Sequence, residues 1–116
     1  MTNASKKSVL IIDDEEDFCL LMQNLLRKQS AVVSYALTMQ QGLQQMAQHD
    51  PDLILLDNNL PDGPGIRYIS EIRLRHANTR ILMVSAMSHL QQEALAQGAD
   101  AFLEKPINLP QLLEWI

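Results

Sequence analysis

The stretch "DLILLDNNLPDGPG", residues 52–65, carries an apolar run that stops on a carboxylate. Ile54, Leu55 and Leu56 leave neither face of a pleated strand polar, the pattern of a strand buried on both sides. Asp57 then stands at the carboxyl end of that strand, where an unpaired charge is costly to bury. Pro61, Gly63, Pro64 and Gly65 follow it and read as a turn that carries the chain away from a crowded edge.

Working outward, four more runs have strand character: "SVLII" (8–12), "AVVSYA" (31–36), "RILMVSA" (80–86) and "DAFLE" (100–104). Helical spacing fills the gaps between them. Phe18, Leu21, Met22, Leu25 and Leu26 mark a first helix. Glu15, Glu16 and Asp17 sit in its first turn and Arg27 and Lys28 in its last, as the helix dipole favours. Thr38 with Gln41 reads as a capping box opening the second helix, and Ser88 with Gln91 as another opening the fourth. Ile66, Ile69 and Ile72 mark the third helix. Gly98 is a natural C-cap, and Asn108 can cap a last helix with Pro110 in its first turn. Apolar strands alternating with helices predict an α/β fold, a doubly wound five-stranded parallel sheet. Residues 1–116 read as a single domain without repeats or linkers. The chain ends at "LLEWI", leaving a last helix of about nine residues, short for full packing; either the natural protein continues into an output domain or the last helix has been trimmed.

Composition narrows the function. Apolar residues make up 47% of 116, enough for one core. The net charge of −5 argues against direct nucleic-acid binding, which calls for a basic stripe. The cluster Arg73, Arg75 and Arg80 reads as a solvated helix end. No apolar run is long enough for a membrane span, and "SVLII" is too short for a signal peptide, so a cytoplasmic domain is expected. Cys19 is the only cysteine, which excludes an internal disulfide; it reads as a small core hydrophobe. Met22, Met39, Met46 and Met83 read as core filler, and His49, His76 and His89 share no ligand spacing. Gly42 inside a helix costs about 1 kcal/mol against Ala and suggests close helix packing.

In an open parallel sheet, function collects beyond the carboxyl ends of the strands. There the first strand presents Asp13 and Asp14, the third Asp57, the fourth Ser85 and the fifth Lys105. Only the second ends in inert residues, Ala36 and Leu37. Were the first and third strands neighbours, Asp13, Asp14 and Asp57 would cluster and repel one another, at roughly 4 kcal/mol per pair at about 4 Å and an effective dielectric near 20. A proton or a cation must relieve this. An all-oxygen set open to water suits Mg²⁺ (or Mn²⁺).

Four segments, "LIIDDEED" (10–17), "DLILLDNNLPDGPG" (52–65), "ILMVSA" (81–86) and "GADAFLEKP" (98–106), cover the chain in order. Together they resemble the receiver domain of bacterial two-component response regulators, of the chemotaxis-regulator type. The resemblance implies a flavodoxin-like strand order 2-1-3-4-5, which sets the first and third strands side by side. It makes Asp57 the phospho-acceptor, supported by Lys105 and Ser85. It assigns the metal to Asp14 and Asp57, with Asp13 acting partly through water and the backbone carbonyl of Asn59 completing the set. It pairs Ser85 with Phe102 as a switch, Phe102 lacking the hydroxyl of the commoner Tyr, and implies a cis bond at Lys105–Pro106.

The resemblance also implies a phosphorylation-dependent signalling switch, with at most self-catalysed phosphorylation and dephosphorylation rather than enzyme turnover. Its partners would be a sensor histidine kinase or phosphotransfer protein, and a downstream output domain or protein. The partner surface would be the face of the fourth helix, fifth strand and fifth helix, with Gln91, Gln92, Leu95, Phe102, Glu104 and Gln111, and a homodimer through it is open. Asn59 and Met87 flank the site's mouth, and Met87 carries no charge to orient water, so unusually fast self-dephosphorylation is not expected. Two alternatives remain. One is a degenerate receiver that binds partners without phosphorylation. The other is a Mg²⁺-dependent phosphohydrolase with an Asp nucleophile; such enzymes typically need a second Asp where this chain has Asn59, and a cap domain.

Overall fold

The computed structural model describes residues 6–116. The elements run β1 (Ser8–Ile12), α1 (Glu16–Arg27), β2 (Val32–Ala36), α2 (Met39–Gln48), β3 (Leu53–Asp57), α3 (Ile69–Arg75), β4 (Arg80–Ser85), α4 (Gln91–Gln97), β5 (Ala101–Glu104) and α5 (Leu109–Leu113). All pairings are parallel, in the order β2-β1-β3-β4-β5.

Strand alternation sorts the core into two layers. Leu10, Ile12, Ile54, Leu56, Ile81 and Met83 face α2, α3 and α4, packing with Met39, Met46, Ile69, Ile72 and Ala94. Val9, Ile11, Leu53, Leu55, Leu82 and Val84 face α1 and α5, packing with Cys19, Met22, Leu26 and Leu112. Central β3 is buried at every residue, which is why its sequence shows no polar alternation. Each such aliphatic side chain contributes about 1.5–3 kcal/mol by burial. The four methionines expected in the core are all there.

Several helix ends follow the sequence reading. Thr38 Oγ1 accepts from the Gln41 amide at 3.1 Å, while Gln41 Oε1 accepts from Leu37 N, one residue before the partner a capping box would use. Asn108 Oδ1 accepts from the Gln111 amide at 3.0 Å. Gly98 closes α4 with φ 118°, its N–H donating to the carbonyls of Ala94 and Leu95.

Other readings need correction. The capping box at Ser88 does not form. Ser88–Leu90 is a 3-10 turn in which the Gln91 amide already donates to the Ser88 carbonyl, leaving nothing for the hydroxyl to cap. A second 3-10 turn, Gly65–Tyr68, delays α3 past Ile66. Leu21 is 56% exposed; it lies about 100° around the helix from Met22, off the buried stripe. Arg73 is no solvated helix end. Its guanidinium donates to the carbonyls of Ala77, Thr79 and Gly98 and pairs with Asp100 at 2.7 Å. Its rigid five-donor fork suits several carbonyls converging at one end of the sheet. Arg75 and Arg80 do stay exposed. Gly42 finds its reason in packing: a Cβ there would lie 2.6 Å from Ile12 Cδ1, so α2 rides directly on β1.

Candidate functional site

The site forms where β1 and β3 end side by side. Ile12 pairs with Leu56, so the next residues, Asp13 and Asp57, leave adjacent strands at one level. The Asp13 amide donates to the Ala36 carbonyl at 3.0 Å and keeps Asp13 in the sheet's plane of bonding. Asp13 and Asp57 are 1% and 5% exposed, whereas Asp14 is open to solvent. One carboxylate oxygen from each of Asp13, Asp14 and Asp57 falls within 4.8 Å of the others. Among the described residues no histidine joins this group; His76 instead bonds Asp50 at 2.7 Å.

Lys105 reaches the cluster from the end of β5. Its Nζ lies 3.1 Å from Asp13 Oδ2, 3.3 Å from Asp57 Oδ1 and 3.8 Å from Glu15 Oε1. Its backbone N–H donates to the Ser85 carbonyl at 3.0 Å, extending the β4–β5 pairing. The Phe18 ring lies 5.1 Å from Nζ, within cation–π range. The Lys105–Pro106 peptide is cis.

Two buried carboxylates and one ammonium do not balance. Burial, then the neighbouring Asp13 charge, pushes Asp57 up to about 6, and Lys105 offsets only part of this. Burial works against the Lys105 charge, but the fields of Asp57 and Asp13 outweigh it and leave its pKa raised. Cys19 lies behind the cluster, its thiol directed at the Asp13 carbonyl at 3.5 Å. Burial, then Asp13, pushes it up to about 12, so it stays an unreactive thiol, as its core position suggested.

Two residues that sequence reasoning did not single out, Asn58 and Asp62, tie down the loop after Asp57. The buried Asn58 accepts through its carbonyl from Leu60 and Gly65, and through Oδ1 from Ile66 at 3.0 Å. At Gly65, read from sequence only as a turn residue, a Cβ would collide with the Asp57 carbonyl oxygen. Asp62 reaches away from the site, its two carboxylate oxygens accepting from Met39 and Gln40 at 2.9 Å each. Those amides hold its carboxyl below the usual range. The paired asparagines were a visible signal for Asn58; nothing local pointed to Asp62.

Of the remaining expected residues, Ser85 is buried at the end of β4, one residue past Val84, the partner of Asp57. Its Oγ accepts from the Met87 amide at 3.0 Å. Phe102 pairs with Met83, half-buried against the α2–α4 layer. Asn59 and Met87 are exposed beside the site, and Gln91, Gln92, Leu95, Glu104 and Gln111 are exposed on α4, β5 and α5.

The donor set fits a small hard cation. It is all oxygen, with two carboxylates fixed by the sheet and one facing water, the mixture Mg²⁺ accepts. A cation there would also offset the burial and the Asp13 charge that together raise Asp57.

A model of the response regulator receiver domain matches residues 9–116. The chemotaxis protein CheY of Bacillus subtilis is 32% identical over 111 residues, covering 93% of this chain and 92% of that protein. The KDP operon transcriptional regulatory protein KdpE of Escherichia coli is 37% identical over 107 residues, 90% of this chain, which spans only 47% of KdpE. A two-component response regulator from Clostridium difficile superposes with a TM-score of 0.89 at 26% identity, over 94% of this chain and 91% of that one.

Proposed function

This chain belongs to the response regulator receiver domain family of two-component systems, and from that premise we propose that it is a switch thrown by phosphorylation of Asp57. Receiver domains are phospho-acceptors rather than conventional enzymes, and the acidic pocket of Asp13, Asp14 and Asp57 with Lys105 is consistent with that role. The observation that carries the reading is the buried Asp57 carboxylate, 3.3 Å from the Lys105 ammonium and grouped with the two other aspartates.

The donor would be a phosphohistidine on a sensor histidine kinase or phosphotransfer protein. An Asp57 oxygen attacks the phosphorus in line. The new O–P bond forms as the N–P bond breaks, and its electron pair leaves with the imidazole. Lys105 moves from the Asp57 oxygen to an equatorial phosphoryl oxygen, keeping its charge at the site. Asp14, Asp57 and the Asn59 backbone carbonyl would hold Mg²⁺ or Mn²⁺, with Asp13 acting partly through water. Once bound, that cation supplies charge neutralisation at the phosphoryl oxygens.

Phosphorylation exchanges the single negative charge of the attacking carboxylate for an acyl phosphate carrying up to about −2, and it brings three acceptor oxygens. The Ser85 hydroxyl leaves the Met87 amide and donates to one of them. Phe102 then turns inward, and the change reaches the face of α4, β5 and α5. Shifting such an equilibrium from 1:99 to 99:1 takes about 5.5 kcal/mol, within reach of a few charge-assisted hydrogen bonds. Residues 1–116 act as one receiver domain in the cytoplasm, passing the signal to an output domain or protein, or through a homodimer. No helix among the described residues is long and apolar enough to cross a membrane. The acidic charge balance supports a domain that does not itself contact nucleic acid.

Intact mass after incubation with Mg²⁺ and a small-molecule phosphodonor tests this. One added phosphoryl group is expected, dependent on Mg²⁺ and absent in Asp57→Asn. An unmodified wild-type chain with the donor intact would refute it.

A further inference from the structure

The loop that follows Asp57 is held at its two ends by different means. Its base is closed by Asn58, which takes the amides of Leu60, Gly65 and Ile66, and by Gly65 seated against the Asp57 carbonyl. Its tip is anchored inward by the buried Leu60 side chain and outward by Asp62. Among the described residues, Asp62 makes the only side-chain hydrogen bonds from residues 59–64 to another element, and they run to α2. Asn59 lies between the two supports: its carbonyl shares a peptide unit with the Leu60 amide held at the base, and the chain runs on through Leu60 and Pro61 to the Asp62 anchor.

On the helix side, a free helix start leaves amides without partners. Thr38 Oγ1 serves Gln41, the third amide of α2. The first and second, Met39 and Gln40, are served by Asp62, 23 and 22 residues away. The helix dipole adds attraction for the carboxylate. Two bonds to consecutive amides, one from each carboxylate oxygen, constrain the direction of approach as well as the distance, so the loop tip cannot pivot freely without breaking one.

We propose that Asp62 is a positioning residue for the cation site: by tethering the loop tip to α2, it holds the Asn59 backbone carbonyl where the Asp13, Asp14 and Asp57 carboxylates can share a cation with it. This rests on the reading of that cluster as a Mg²⁺ site. Asp57 itself is fixed by β3 and by the closed loop base, so Asp62 governs cation affinity and leaves the attacking carboxylate in place. That separation distinguishes the tether from an ordinary helix cap.

The test is calorimetric titration of Mg²⁺ into metal-free protein, with wild type, Asp62→Ala, Asp62→Asn and Thr38→Ala compared. Supports one step removed from a metal typically change affinity by about 10- to 100-fold. Asp62→Ala is expected to weaken Mg²⁺ by about tenfold, the low end, because one backbone ligand is loosened rather than lost. Asp62→Asn keeps one oxygen for one amide and falls between, which keeps the test open if the alanine variant folds poorly. Thr38→Ala removes a cap from the same helix without touching the loop; it lowers the melting temperature and leaves Mg²⁺ affinity unchanged. In phosphorylation assays Asp62→Ala needs more Mg²⁺ for half-maximal rate but reaches the wild-type rate at saturation. Wild-type Mg²⁺ affinity in both Asp62 variants, or an equal loss in Thr38→Ala, overturns the proposal. Failure of wild type itself to bind Mg²⁺ overturns the reading of the cluster beneath it.

Discussion

Replacing Asp57 by Asn should make the metal-free protein more stable at neutral pH. Burial and the Asp13 charge raise Asp57 to about 6 in the folded chain, against about 3.9 in an unfolded one. The difference of about two units is worth roughly 3 kcal/mol. Because the folded pKa lies above the unfolded one, the folded state holds the proton more tightly. The ionised carboxylate therefore costs stability, and the cost grows as pH rises between about 4 and 6 and is complete above that window. The amide introduced by Asp57→Asn has the shape of the neutral acid and escapes that cost. Lys105 is not stranded by the change, since Asp13 remains 3.1 Å away. Calorimetric melts in EDTA should coincide for wild type and Asp57→Asn at about pH 4 and separate by about 10 °C at about pH 8, taking a few degrees per kcal/mol for a chain of this size. Saturating Mg²⁺ should close most of the gap by stabilising wild type, by about 2.7 kcal/mol at a hundredfold excess over Kd. A variant no more stable than wild type at the higher pH, or a gap equal at both, would show that Asp57 is not the strained carboxylate.

Lys105→Met leaves the two buried aspartates without their cation; it should cost roughly 2 kcal/mol, less than the 3–5 of a fully buried pair because the ammonium is partly exposed, as read from urea denaturation in EDTA. The same variant should slow phosphorylation of Asp57 by about 100-fold, measured by intact mass against time. Gly65→Ala drives a Cβ into the Asp57 carbonyl, so a loss of about 1–3 kcal/mol with slower phosphorylation is expected; wild-type behaviour in both assays would contradict the packing described. Gly42→Ala, which improves helix propensity, should nonetheless lower stability by about 1 kcal/mol through its contact with Ile12. Adding Ile12→Val removes the clashing Cδ1, and the double variant should recover much of that loss in a thermal melt.

The sheet and most of the site were legible because each is written in a local pattern. An unbroken apolar run states that both faces of β3 are covered, and its length fixes where Asp57 emerges. The polar residues closing β1, β4 and β5 could be read the same way, and the strand order implied by the resemblance to receiver domains brought them together. The boundaries that failed did so where backbone bonding overrode side-chain signals. Ser88 has the right partner at the right spacing, but its own carbonyl had already taken the Gln91 amide. Leu21 has the right chemistry on the wrong side of the helix.

What the sequence determined by itself was the kind of element at each position and the chemistry each strand presents at its end, since these follow from periodicity and side-chain type within a few residues. Only the tertiary structure decided which distant groups meet. It set Arg73 against Gly98 and Asp100, Gly42 against Ile12, and Asp62 against the amides of Met39 and Gln40. It also decided that Asp57 is strained, because a carboxylate's pKa depends on the solvent it loses and the charges within a few ångströms. No periodicity carries those distances: they arise when segments tens of residues apart pack together.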